Sequence, residues 1–110
     1  MTKDDIRSNH RLELRKGTLV LAVLSELKEK HYGYSLVETL NSKGLTIDQN
    51  TLYPLLRRLD KHGLLDSIWD VEETRPRKYY ILSDLGKELF DELIDEWKSN
   101  TNIIQKIVEG

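Results

Sequence analysis

The sequence predicts a mainly α-helical chain with one small β-hairpin, and three observations carry that prediction. Apolar residues recur at helical spacing from Leu12 to Leu59. Between Gly63 and Ser83 the pattern turns extended, and from Ser83 onward helical spacing returns. The resulting order is helix, helix, turn, helix, hairpin, helix.

Leu12, Leu19, Val20, Val23, Leu24 and Leu27 share one face of a first helix from about Asn9 to Lys30, with Gly17 weakening its middle. His31-Tyr32-Gly33 breaks the pattern. Leu36, Val37 and Leu40 mark a short second helix ending near Gly44, a residue suited to the position just past a helix C-terminus. Asp48 or Asn50 caps a third helix that runs to His62, where Gly63 stops it. Pro54 lies near its start and removes at most one backbone bond. Leu64 to Trp69 and Arg77 to Leu82 form the hairpin arms, joined by a charged tip from Asp70 to Pro76. Ser83 caps a final helix reaching Val108, helped by Asp84 in its first turn. This is the layout of a winged helix-turn-helix plus a C-terminal dimerisation helix. Residues 1–82 form the expected DNA-binding domain and residues 83–110 the dimerisation helix, in one compact unit.

Composition narrows the function. A chain of 110 residues, 38% hydrophobic and 33% charged, supports one core and not two. The absence of cysteine excludes disulfides, thiolate metal sites and cysteine nucleophiles. The polar start, Met1 to His10, lacks the apolar stretch of a secretory signal, and the longest apolar run, Leu19 to Leu24, is far short of a membrane span. A cytoplasmic location without membrane attachment is expected. His10, His31 and His62 have no metal spacing, and neither a phosphate-binding glycine loop nor a nucleophile motif is present. No metal, cofactor or enzymatic activity is expected.

The net charge of −2 is unevenly spread. Residues 1–82 carry 14 basic and 12 acidic side chains, whereas residues 83–110 carry 3 basic and 7 acidic. DNA affinity must therefore rest on the placement of a few cations.

The third helix supplies that placement. At about 100° per residue, Leu52, Leu55, Leu56 and Leu59 form one narrow stripe, while Asn50, Tyr53, Pro54, Arg57 and Lys61 cluster opposite. Gln49 and Asn50 suit adenine edges, Arg57 guanine or phosphate, and Thr51 and Tyr53 phosphate oxygens or thymine methyls; Arg58 and Lys61 suit the backbone. Arg75, Arg77 and Lys78 sit at the hairpin tip, positioned for phosphate or minor-groove contact, although Glu72 and Glu73 dilute their charge. A plain solvated helix face and a plain solvated turn are the alternative readings.

The runs Leu14-Arg15-Lys16-Gly17-Thr18-Leu19, Tyr32-Gly33-Tyr34-Ser35-Leu36, Asn50 to Leu59 and Arg77-Lys78-Tyr79-Tyr80-Ile81-Leu82-Ser83 resemble PadR-family regulators in order and spacing. Tyr34 joins the candidate DNA contacts. The resemblance implies a cytosolic repressor of detoxification, phenolic-acid stress or multidrug-export genes, which binds an inverted-repeat operator as a dimer. The length is similar to that of the family's small branch, with its single C-terminal helix.

On the last helix, Phe90, Ile94, Trp97, Thr101, Ile104 and Val108 follow at steps of four, three, four, three and four, a heptad seam that Leu93, Ile103 and Ile107 widen. A partner subunit is expected to cover it; packing within the monomer is the alternative. The resemblance also implies that Trp97 stacks on planar drug-like molecules in a pore between subunits, lined further by Ile94, Val20, Lys16 and Glu13. Glu13 would favour cations. Trp97 as simple interface core is the other reading. A winged-helix module that docks on protein and never reads bases is the competing function, supported by six basic against six acidic residues between 48 and 82.

Overall fold

The computed structural model describes residues 1–72 and 74–110, and its first helix is the largest departure from expectation. Helix α1 spans Lys3–Glu26, starting six residues before the expected Asn9. A capping box explains the early start: Thr2 Oγ1 accepts from the Asp5 amide at 3.0 Å, and Asp5 Oδ2 accepts from the Thr2 amide at 3.1 Å. The helix also ends four residues earlier than Lys30, which frees His31–Tyr32 to form strand β1.

Helix α2 covers Gly33–Ser42 and helix α3 covers Gln49–Lys61. Between them Gly44 adopts φ +97°, and the Asn41 amide braces the turn. Its Nδ2 donates to the Ile47 carbonyl at 2.9 Å, and its Oδ1 accepts from the Ile47 amide at 3.1 Å. Asp48, not Asn50, caps α3 by accepting from the Thr51 amide at 2.8 Å. Gly63 then turns the chain at φ +76°.

Strands β2 (Leu65–Asp70) and β3 (Arg77–Leu82) form the hairpin, and β1 adds a third antiparallel strand on the outer side of β3, giving the order β1-β3-β2. Leu65 faces Leu82, Asp70 faces Arg77, and Tyr32 faces Tyr79. Helix α4, Asp84–Glu109, begins at a Ser83 cap that ties several elements together. Ser83 Oγ accepts from the Gly86 amide at 3.0 Å and donates to the Gly63 carbonyl at 2.7 Å; the Ser83 amide donates to the Leu64 carbonyl at 3.0 Å. A side chain on Gly86 would strike that same Leu64 oxygen.

The core is leucine-built. Val23, Leu24, Leu27, Leu36, Leu52 and Leu56 are fully buried, with Leu55, Leu59, Leu65, Tyr80, Leu82 and Phe90 around them. Each buried leucine contributes roughly 1.5–3 kcal/mol through removal of apolar area from water. The two ends of the molecule do not share this core: residues 1–18 and 95–110 are exposed throughout. The molecule is accordingly drawn out, 57 × 35 × 25 Å with a radius of gyration of 16.3 Å, where a compact chain of this length would have about 13 Å.

Candidate nucleic-acid interface and ligand cleft

Helix α3 divides as its sequence pattern requires. Leu52, Leu55, Leu56 and Leu59 are buried, while Gln49, Asn50, Thr51, Pro54, Arg57, Arg58 and Lys61 are exposed on the other side. The first three stand at the helix N-terminus, where the Asp48 carboxylate already takes the Thr51 amide, so their side chains are what this end offers to a ligand. Tyr53 is the exception. Its ring is half-buried against Gly33 at the start of α2, since the backbone there approaches within side-chain distance of the phenol.

The three cations of the wing differ in their surroundings. Arg75 is exposed at the bend between strands, as expected of a tip residue. Arg77 and Lys78 open β3, whose bounds match the expected arm, and pair with Asp70 and Trp69. Lys78 Nζ lies 3.4 Å from Asp60 Oδ2 on α3, and Ser67 Oγ donates to the same oxygen at 3.3 Å. Lys78 is thus engaged inside its own subunit. Arg77 Nη1 donates to the hydroxyl of Tyr34, itself 40% exposed, at 2.7 Å. Glu73 lies outside the described residues.

Sequence reasoning missed Asp60, Tyr32 and Asp70. The Tyr32 hydroxyl donates to Asp70 Oδ2 at 2.7 Å and holds its carboxyl below the usual carboxylate range; the Glu72 amide, Lys30 and Arg77 act in the same direction. Burial pushes the Tyr80 phenol up, on the sheet face it shares with Lys78. These partners are far apart in sequence, and only knowledge of the strand register could have joined them.

The sequence profile of the Transcriptional regulator PadR-like family matches residues 20–92. The chain belongs to that family. It is 48% identical to the PadR family transcriptional regulator of Eggerthella lenta, with 96% of this chain and 95% of that one covered and a TM-score of 0.88. An uncharacterized protein of Lysinibacillus sphaericus is 31% identical over 105 residues, 91% of this chain and 96% of the relative. The Bacillus subtilis PadR solved with operator DNA is 23% identical, covers 70% of this chain and 45% of its own, and has a TM-score of 0.64, a likeness of fold alone. PadR-like proteins are transcriptional regulators and not enzymes.

In this PadR-like regulator α1 and α4 pack side by side and leave a cleft of about 220 Å³ between them. Trp97, 43% exposed, and Ile94 line one wall; Thr18, Leu21, Ala22 and Ser25 line the other. Val20, Lys16 and Glu13 do not reach this cleft. At about 100° per residue they occupy the opposite side of α1, where Val20 packs on the core and Lys16 pairs with Glu13 at 3.2 Å. The five residues expected around one ligand therefore do not converge within a subunit.

The expected seam on α4 is also shorter than its sequence pattern. Phe90 is only 6% exposed and belongs to the subunit's own core, since the first two turns of α4 lie on β3 and α1. Leu93 and Ile94 are partly buried beside it. Trp97, Thr101, Ile104, Ile107 and Val108 are exposed. Among the described residues, no helix is long and apolar enough to cross a membrane, and no group of three His, Cys, Asp or Glu side chains is placed to hold a metal ion.

Proposed function

We propose that this PadR-like chain binds double-stranded DNA as a homodimer in the cytoplasm and represses detoxification or multidrug-export genes until a planar small molecule binds. The division of α3 carries this reading. Four leucines lock its inner face into the core while Gln49, Asn50, Thr51, Arg57, Arg58 and Lys61 stand in solvent. Such a helix fits a major groove, where Asn and Gln pair with adenine and Arg with guanine or phosphate. The Bacillus subtilis PadR that was solved with operator DNA shares the fold, which supports DNA binding here. With Lys78 turned to Asp60, Arg75 is the wing's candidate phosphate contact.

The apolar side chains at the two outer ends support the dimer. Ile6, Leu12 and Leu14 on α1, and Ile103, Ile104, Ile107 and Val108 on α4, are exposed, and a soluble monomer rarely leaves such surface to water. A second copy covers both sets in an isologous interface, with residues 83–110 as the dimerisation helix and 1–82 as the DNA-binding part. The two α3 helices then address half-sites about 34 Å apart. Trp97, 43% exposed, offers its ring to a planar cation, and the exposed Glu13 and Lys16 enter such a pore from the α1 of the second copy, whereas Val20 stays with its own core.

A mobility shift on the DNA upstream of the protein's own gene, repeated across salt, tests this reading. The protein is expected to prefer that fragment to random duplex, and Arg57→Ala to weaken the preference by about 1–3 kcal/mol. Equal affinity for both duplexes, or none, overturns the reading in favour of a protein-docking module.

A further inference from the structure

The outer end of the wing has little backbone support. β1 pairs only with Tyr79 and Tyr80, so the last two rungs, Trp69 opposite Lys78 and Asp70 opposite Arg77, consist of two strands alone. A two-stranded ribbon is marginally stable in water.

The outermost rung is instead gripped at both ends by one tripeptide. Tyr32 holds Asp70 through the 2.7 Å hydrogen bond, and Tyr34 accepts from Arg77 at the same distance. The Arg77 guanidinium also lies over both rings, 5.6 Å from the Tyr32 centroid and 5.2 Å from that of Tyr34. Those rings are stacked, with centroids 5.9 Å apart and planes 10° from parallel, and Tyr79 meets Tyr32 edge-on at 5.6 Å. Between the two tyrosines lies Gly33, where a Cβ would sit 2.3 Å from the Tyr53 ring. Contact therefore runs without a gap from α3, through Tyr53 and Gly33, to the Asp70–Arg77 rung.

We propose that Tyr32-Gly33-Tyr34 is a spacer that fixes the distance and angle of the wing relative to α3. Tyr32, Tyr34, Asp70 and Arg77 are then positioning residues for duplex binding, an assignment that rests on the DNA-binding reading above. Arg77 acts here through its planar group, which stacks and donates in a fixed geometry that a lysine ammonium does not copy. Because the Tyr34 hydroxyl accepts from Arg77, its own hydrogen is available to a phosphate oxygen.

Two measurements on the full chain test the spacer. Amide hydrogen exchange reads the wing without DNA: Tyr32→Phe and Arg77→Lys are each expected to speed exchange across β2 and β3 on the order of fivefold, the loss of one hydrogen bond, with α1 and α4 unchanged. Unaltered wing exchange in both variants overturns the proposal. The second measurement is affinity for a random-sequence duplex of about 20 base pairs, two helical turns. Arg77→Lys keeps the charge, so a weakening as large as that of Arg77→Ala supports positioning, whereas full rescue by lysine makes Arg77 an ordinary phosphate contact and overturns it. If the wild-type chain binds no duplex, the DNA reading fails, and hydrogen exchange still decides whether the tripeptide holds the wing.

Discussion

Lys78 of the wing and Asp60 of α3 stand 3.4 Å apart, so one wing cation is neutralised before any DNA arrives. Asp60→Asn is expected to release it. Duplex affinity should rise, and the log–log salt dependence should steepen by about 0.9, one additional phosphate neutralised. Stability should change by no more than about 1 kcal/mol, since both side chains are partly solvated. Titrations at several salt concentrations check this; an unchanged slope would mean that Lys78 stays with other partners.

Neighbouring residues on α3 separate folding from binding. Leu56 is fully buried and Arg57 is exposed. Leu56→Ala should cost about 2–5 kcal/mol in chemical denaturation. Arg57→Ala should leave the denaturation midpoint within about 0.5 kcal/mol of wild type while weakening specific DNA binding. Similar stability losses in both would contradict the two-faced helix.

Two glycines should respond in opposite directions to alanine. At Gly86 a Cβ would stand 2.1 Å from the Leu64 carbonyl oxygen, a backbone atom that cannot yield cheaply. Gly86→Ala should destabilise by about 1–3 kcal/mol. Gly17, in the middle of α1, has nothing within 4 Å of that position. Gly17→Ala should stabilise by about 0.5–1 kcal/mol through helix propensity alone. Thermal melts of the two variants give the comparison.

Acid should loosen the wing late. The Tyr32 hydroxyl and the Glu72 amide hold the Asp70 carboxyl below its ordinary value, so the fold favours the ionised form. That contribution is complete above about pH 4, the unfolded value, and is lost as pH falls through the lowered one. Trp69, 61% exposed on β2, reports on the wing once Trp97 is replaced by Phe. Its emission should stay constant down to about pH 4 and change below, and Asp70→Asn should remove that acid step. A transition above pH 5 would contradict the Tyr32–Asp70 bond.

Charge on the far end of α4 should separate subunits. Ile104 and Ile107 are exposed in the single subunit, so Ile104→Glu with Ile107→Glu leaves its core untouched. Sedimentation is expected to show a dimer for wild type and a folded monomer for the variant. A wild-type monomer at micromolar concentration would remove the proposed interface.

What could be read from sequence was whatever the local pattern determines. The leucine stripe of α3, the Ser83 cap and the hairpin arms are written in spacing and residue type, and the structure places them where that spacing implies. Strand β1 was illegible because two residues carry no alternation; His31 and Tyr32 become a strand only when Tyr79 and Tyr80 lie beside them. The early start of α1 was signalled by Thr2 and Asp5, yet its first two turns bury no apolar stripe for periodicity to detect. The partner of Lys78 was illegible because residue type does not reveal which side chains the fold brings together, and Asp60 is eighteen residues away.

The Ser83 junction has a mechanical consequence. One hydroxyl bridges the turn that ends α3 and the turn that begins α4, and Phe90, Leu93 and Ile94 seat the following turns on the core, so the exposed stretch from Asp95 to the helix end at Glu109 forms an arm about 22 Å long. Each degree of bend at the edge of the core displaces the free tip by roughly 0.4 Å. Small adjustments among the isoleucines at the tip thus reach the core geared down, as rotation and not as translation.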